Sequence, residues 1–180
     1  MNSEELREKI DSCDECYGCK LALYGEGDVE SDIMLIGDSP SNRVEYNTII
    51  FGGKSKEIFY DFVDFLGIQN YYLTNLVKCY TPGVKIGDHK NCYEILKDEI
   101  EMVKPKCIIT FGKNAAEFFD LDSYDLRGFI ARPKKEKKIP GVKRIITVYH
   151  PMYVVYNGIT YDEYMRIAER VKSNIKIWWF

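Results

Sequence analysis

Asp32-Ile33-Met34-Leu35-Ile36 runs straight into Gly37-Asp38-Ser39-Pro40, and this junction decides the fold. Four consecutive apolar residues closed by glycine and proline read as a buried strand that ends in a functional loop. Three further segments repeat the pattern: Tyr71 to Leu76, Cys107 to Phe111, and Arg144 to Tyr149. Between them the apolar period changes to 3.6. Ile58, Phe59, Phe62, Val63 and Leu66 share one helical face, as do Leu96, Ile100 and Val103, and later Tyr164, Met165, Ala168 and Val171. Strands alternating with helices predict an α/β fold: a three-layer α/β/α sandwich around a central, mostly parallel four-stranded sheet. Ligands of such sheets approach the carboxyl ends of the strands. The loops that matter most are therefore 37–53, 77–91, 112–114 and 150–158.

Composition sets the outer limits. The chain has 180 residues, 46% of them hydrophobic, with 25 Lys and Arg against 28 Asp and Glu. That is the profile of one domain over residues 1–180, with no bulk positive charge to hold a polyanion. Nucleic-acid binding would have to be local. No apolar run reaches the ~18 residues of a membrane span, and acids stand where a signal peptide would be basic and then apolar. A cytoplasmic location, no membrane partner and a monomer are expected.

Six cysteines in a reducing compartment point to metal or cluster binding more than to disulfides. Cys16-Tyr17-Gly18-Cys19 presents two sulfurs at one turn, and Cys79 and Cys92 flank a loop containing Pro82, Gly83 and Gly87. A structural zinc site usually repeats the tight spacing on both sides. The wider second pair suits the perimeter of an iron–sulfur cluster better. Cys13-Asp14-Glu15-Cys16 is a competing CxxC, whereas Cys107 lies inside a strand and reads as a core residue.

Taken in order, these motifs resemble the iron–sulfur uracil-DNA glycosylases of family 4. The resemblance is carried by Cys16 to Leu21, Ile33 to Pro40, Tyr72 to Cys79, Lys104 to Gly112 and Tyr149 to Tyr153, and spans roughly residues 13 to 172. It implies a DNA-repair hydrolase that flips uracil, or another deaminated base, out of DNA and cleaves its N-glycosidic bond. It also implies a structural [4Fe-4S] cluster on Cys16, Cys19, Cys79 and Cys92. The family's catalytic loop commonly reads G-E-A-P-G, followed by P-F-V-G. Here Asp38 shortens the carboxylate, Ser41 replaces a glycine, Arg43 adds a positive charge, and the loop ends in Ile50-Phe51-Gly52-Gly53.

The chemistry asks for particular groups. A flipped base needs an aromatic ring to stack on and polar atoms to read its edge. Phe51 matches the family's stacking phenylalanine, with core packing as its alternative. The amide of Asn75 complements uracil N3–H and O4, with a strand-end cap as its alternative. His150 follows the last strand and is placed to donate to uracil O2. Asp38 and Glu45 compete to position water or stabilise the sugar cation. Ser39 and Ser41 are candidate phosphate contacts, and Tyr153 is a candidate wedge for the vacated stack. The basic run 132–138 reads as a solvated loop before it reads as a DNA contact. Two alternatives stay in view: a binder of damaged or single-stranded DNA that has lost excision, and a zinc-stabilised α/β protein.

Overall fold

The computed structural model describes residues 1–16, 19, 22–40, 50–80, 90–121, 127–131 and 139–176. In chain order the elements are α1 (Ser3–Asp11), β1 (Glu26–Gly27), β2 (Ile33–Gly37), α2 (Lys54–Leu66), β3 (Tyr72–Asn75), α3 (Lys90–Val103), β4 (Cys107–Phe111), α4 (Lys113–Phe118), β5 (Arg127–Ala131), β6 (Arg144–Val148), α5 (Met152–Val155) and α6 (Tyr161–Lys176).

The sheet order is β1-β3-β2-β4-β6-β5. The four expected strands form its parallel centre: β2 pairs in parallel with β3 and β4, and β4 with β6. Two antiparallel edge strands, β1 and β5, extend it to six. A parallel strand is covered on both faces, which is why these segments read as continuous apolar runs.

Side chains alternate across the sheet, so each strand feeds two cores. Ile33, Leu35, Ile109, Phe111, Ile146 and Val148 face α2 and α6. Met34, Ile36, Ile108 and Ile145 face α3 and α4. On α2, Phe59, Phe62, Val63 and Leu66 fall at the i, i+3, i+4, i+7 spacing and are all buried. Phe62 rests edge-on against Phe111 at 5.5 Å, and truncating it to alanine would cost ~3–5 kcal/mol.

Helix ends follow local chemistry. Asn2 caps α1 with its side-chain oxygen, and Glu5 returns a bond to the Asn2 N–H. The helix then packs Leu6 and Ile10 against Ile95 of α3. Gly67 stops α2 in the left-handed conformation (φ 73°). Pro105 follows the end of α3, which it cannot continue. Among the described residues, no helix is long and apolar enough to cross a membrane.

Candidate active site

The carboxyl ends of β2 and β3 are stitched together beyond the sheet. Leu76 N–H donates to Gly37 O at 2.8 Å and Val77 N–H to Asp38 O at 2.9 Å. At the same end β6 delivers His150. A cleft of about 760 Å3 opens there, lined by Asp38, Ser39, Pro40, Phe51, Lys54, His150 and Tyr156 among others. Four of the expected residues, Asp38, Ser39, Phe51 and His150, thus share one cavity. Asn75 and Tyr153 are not part of its lining, and Ser41 and Glu45 lie outside the described residues. The basic run 132–138 lies outside them as well.

Phe51 is buried, with one face stacked on Phe59 at 4.2 Å and 12°. The imidazole of His150 tilts against the same ring at 5.3 Å. Phe51 therefore joins the core and borders the cleft at once, so its two readings are not exclusive.

Asn75 is 3% exposed, and its Nδ2 is buried without a hydrogen-bond partner. An unpaired amide donor costs on the order of 1–3 kcal/mol. Gly37 makes room for it. A methyl group at Gly37 would collide with Asn75 Oδ1 and press within 3.2 Å of Phe51 Cζ.

Asp38 is held from across the sheet. Ala115 N–H donates to its Oδ1 at 2.8 Å, and Asn114 Nδ2 donates to its Oδ2 at 2.9 Å. The carboxylate thereby caps α4, which has no capping side chain of its own. The approach requires Gly112, at φ 109°, where a Cβ would lie 2.5 Å from Asp38 Oδ2. Burial raises the Asp38 carboxyl above its ordinary value, and the bonds from Ala115 and Asn114 partly oppose that rise. Each oxygen keeps lone-pair capacity for another donor.

His150 has a defined tautomer. Pro151 has no N–H, so the next amide, Met152 N–H, donates to His150 Nδ1 at 3.1 Å. The proton of the neutral ring then sits on Nε2. Burial pulls its pKa down to about 4, so the group is a neutral donor throughout the physiological range.

Tyr153 stacks on Tyr149 at 4.9 Å and 23°, and its ring also fills the space above Gly158. Tyr156, at the cleft rim, is 76% exposed.

A second gathering of groups lies behind β3. Cys16, Cys19, Cys79 and Cys92 come from three distant segments into mutual electrostatic reach. Burial raises the Cys16 thiol, and its neighbours Cys92, Cys13 and Cys19 add to the rise. Cys79 is raised well above the ordinary thiol range by burial, then by Cys19, Cys92 and Cys16. Lys78 N–H points at Cys92 Sγ at 3.5 Å, and Cys13 Sγ accepts from Asn91 Nδ2 at 3.0 Å. Among the described residues, no three such groups close around one ion, a geometry that would need sulfurs ~2.3 Å from a common point. The donor set is soft and thiolate-capable, with Cys79 in hydrogen-bond contact with Cys16 and Cys19, which is the chemistry that an iron–sulfur cluster or a zinc ion would use. Cys107 is apart from the group, and burial pushes its thiol up to about 12.

The loops 37–53 and 112–114 were expected to matter, but sequence reasoning gave no role to Gly37, Gly112 or Asn114 within them. Only Gly112, between the end of a strand and the following helix, carried any signal, because glycine there allows a close approach.

Residues 24–172 match the sequence profile of the Uracil DNA glycosylase superfamily. The chain belongs to that superfamily. A protein of Thermotoga maritima named type-4 uracil-DNA glycosylase is 27% identical over 189 aligned residues, covering 96% of each chain. Proteins of the same name from Archaeoglobus fulgidus and Saccharolobus solfataricus are 24% and 25% identical, covering 89% and 96% of this chain.

Proposed function

We propose that the protein is a uracil-DNA glycosylase that hydrolyses the bond between N1 of uracil and C1′ of deoxyribose in DNA. The observation that carries this reading is the pairing, in one cleft, of a neutral histidine donor with a buried carboxylate above an aromatic floor. Superfamily membership supports it.

A uracil flipped from the stack enters the cleft and stacks against Phe51. The Asn75 amide reads its N3–H and O4, giving Nδ2 the partner it otherwise lacks. When the C1′–N1 bond breaks, the electron pair leaves with uracil N1 and spreads onto O2. His150 Nε2–H donates to O2 and holds that negative charge without transferring a proton. Asp38 faces the cationic sugar and orients water toward C1′. The water oxygen bonds to C1′ and its proton passes to solvent. Ser39 and the first turn of α2, with Lys54, supply phosphate contacts at the rim.

Cys16, Cys19, Cys79 and Cys92 hold a [4Fe-4S] cluster in this reading, and the cluster supplies a structural tie between the amino-terminal segment, the end of β3 and α3. The residues of the cleft perform the hydrolysis.

A second reading has one observation in its favour. Both oxygens of Asp38 are already engaged, Oδ1 by the Ala115 N–H of α4 and Oδ2 by the Asn114 amide, which suits a protein that binds uracil-containing DNA without excising the base. Release of free uracil from single- and double-stranded oligonucleotides, compared with heat-inactivated protein, separates the two. Tight binding without release would favour the binder.

A further inference from the structure

Lys78 and Glu99 form an ion pair in the interior, 1% and 0% exposed. Such a pair contributes little net stability, since well-packed apolar residues in its place are often as good or better. What it contributes here is geometric. The Lys78 ammonium has three protons and uses them all: on Glu99 Oε2, on Thr74 Oγ1 at 2.6 Å, and on the backbone oxygen of Asn75 at 2.6 Å. Glu99 in turn accepts from the Thr74 hydroxyl at 3.0 Å and from Tyr72 OH at 3.3 Å.

Asn75 is the last residue of β3, and β1 pairs only with Tyr72 and Leu73. Its carbonyl therefore has no strand partner on that edge, and the Lys78 ammonium takes the vacant place. On the other side of the same peptide, Leu76 N–H is held by Gly37 O at 2.8 Å. The Asn75–Leu76 peptide is thus pinned at both its oxygen and its nitrogen. The side chain projecting from this pinned backbone is the one whose Nδ2 is buried and unpartnered.

We propose that Lys78, neutralised by Glu99, is a positioning residue that fixes the Asn75 amide and thereby sets discrimination between uracil and cytosine. The proposal rests on the reading of Asn75 as the group that meets the base edge. Lys78 touches neither DNA nor base; it acts through the Asn75 carbonyl. Burial of the pair keeps water from competing for that oxygen.

The test uses anaerobically purified full-length protein. It measures affinity for an oligonucleotide carrying 2′-fluoro-2′-deoxyarabinouridine, which resists hydrolysis, against the same strand carrying the cytosine analogue. The Lys78→Met/Glu99→Leu variant removes both charges together, so neither is left uncompensated. We expect a melting temperature near that of the unmodified protein and a uracil-to-cytosine affinity ratio reduced at least tenfold. Adding Asn75→Ala to that variant should cost no further discrimination, because both changes act on one element. Should the double variant fail to fold, Lys78→Arg retains the ion pair but presents a planar fork in place of a compact ammonium. It should melt normally and lose several-fold in the ratio. An unchanged ratio in the correctly folded variants, or an additive effect of Asn75→Ala, would overturn the proposal. If Asn75→Ala alone leaves the ratio intact, the base-reading role itself is wrong, and the role of Lys78 falls with it.

Discussion

Asp38 and Ala115 are 77 residues apart in the chain, yet the backbone N–H of one donates to the carboxylate of the other at 2.8 Å. The carboxylate at the mouth of the cleft is therefore also the cap of the helix after β4. In the proposed reaction, function and local stability meet in this one side chain, and substitutions there should separate them.

Replacing Asp38 with asparagine keeps an oxygen for Ala115 N–H and removes a carboxylate that burial disfavours. Excision should fall by at least about a hundredfold, while stability to urea changes by less than ~1 kcal/mol, because relief of the buried charge is offset by an amide donor that now faces Asn114 Nδ2. Asp38→Ala should lose both activity and the cap, at a cost of ~1 kcal/mol. Paired urea melts and base-release rates on the two variants decide this; a stable, fully active Asp38→Asn protein would refute the assignment.

His150 titrates near 4 in the folded protein and near 6.5 when unfolded. The folded state thus disfavours its protonation. Its contribution to stability is complete above about pH 6.5 and is lost as pH falls from there through about 4, to the extent of roughly 3 kcal/mol. Base release should show no histidine-like transition between about pH 5.5 and 7.5, the span around the ordinary histidine value. Melting temperatures and rates across that range, compared with His150→Asn, provide the check. The variant should lose the acid-dependent part of the destabilisation and most of the excision.

Gly37 is glycine because Asn75 and Phe51 converge above it. Gly37→Ala forces the two apart or displaces β2, at an expected ~1–3 kcal/mol. Affinity for uracil-containing DNA should fall along with thermal stability. Normal affinity in this variant would show that Asn75 and Phe51 are not used together.

With a cluster bound as proposed, Cys19→Ser should abolish visible absorbance and reduce iron and sulfide to background, and it should lower the melting temperature. Cys107→Ser should leave the colour unchanged, because that thiol sits apart from the other five. Stoichiometric zinc with no colour in the unmodified protein would exclude the cluster.

Much of the fold was legible because it is local. Cys107 to Phe111 matches β4 at both ends, since a parallel strand flanked by polar or glycine residues announces itself by an unbroken apolar run. The edges were not legible. Glu26–Gly27 is too short to show a period, and Arg127–Ala131 bends at Gly128 (φ 77°), where its register with β6 shifts. They pair because neighbouring strands offer free edges, which is information held elsewhere in the chain.

The same division runs through the site. Residue order alone determined that Asp38, Ser39, Asn75 and His150 end or follow parallel strands and so gather at one end of the sheet, and that Cys79 and Cys92 flank the segment after β3. Only the tertiary structure decided that Asp38 answers Asn114 and Ala115, that Met152 N–H leaves the His150 proton on Nε2, and that Lys78 is neutralised by Glu99 in the interior. Period and propensity describe how a residue meets its neighbours within a few turns. Hydrogen bonds between atoms dozens of residues apart arise only once packing has excluded water and brought those atoms together.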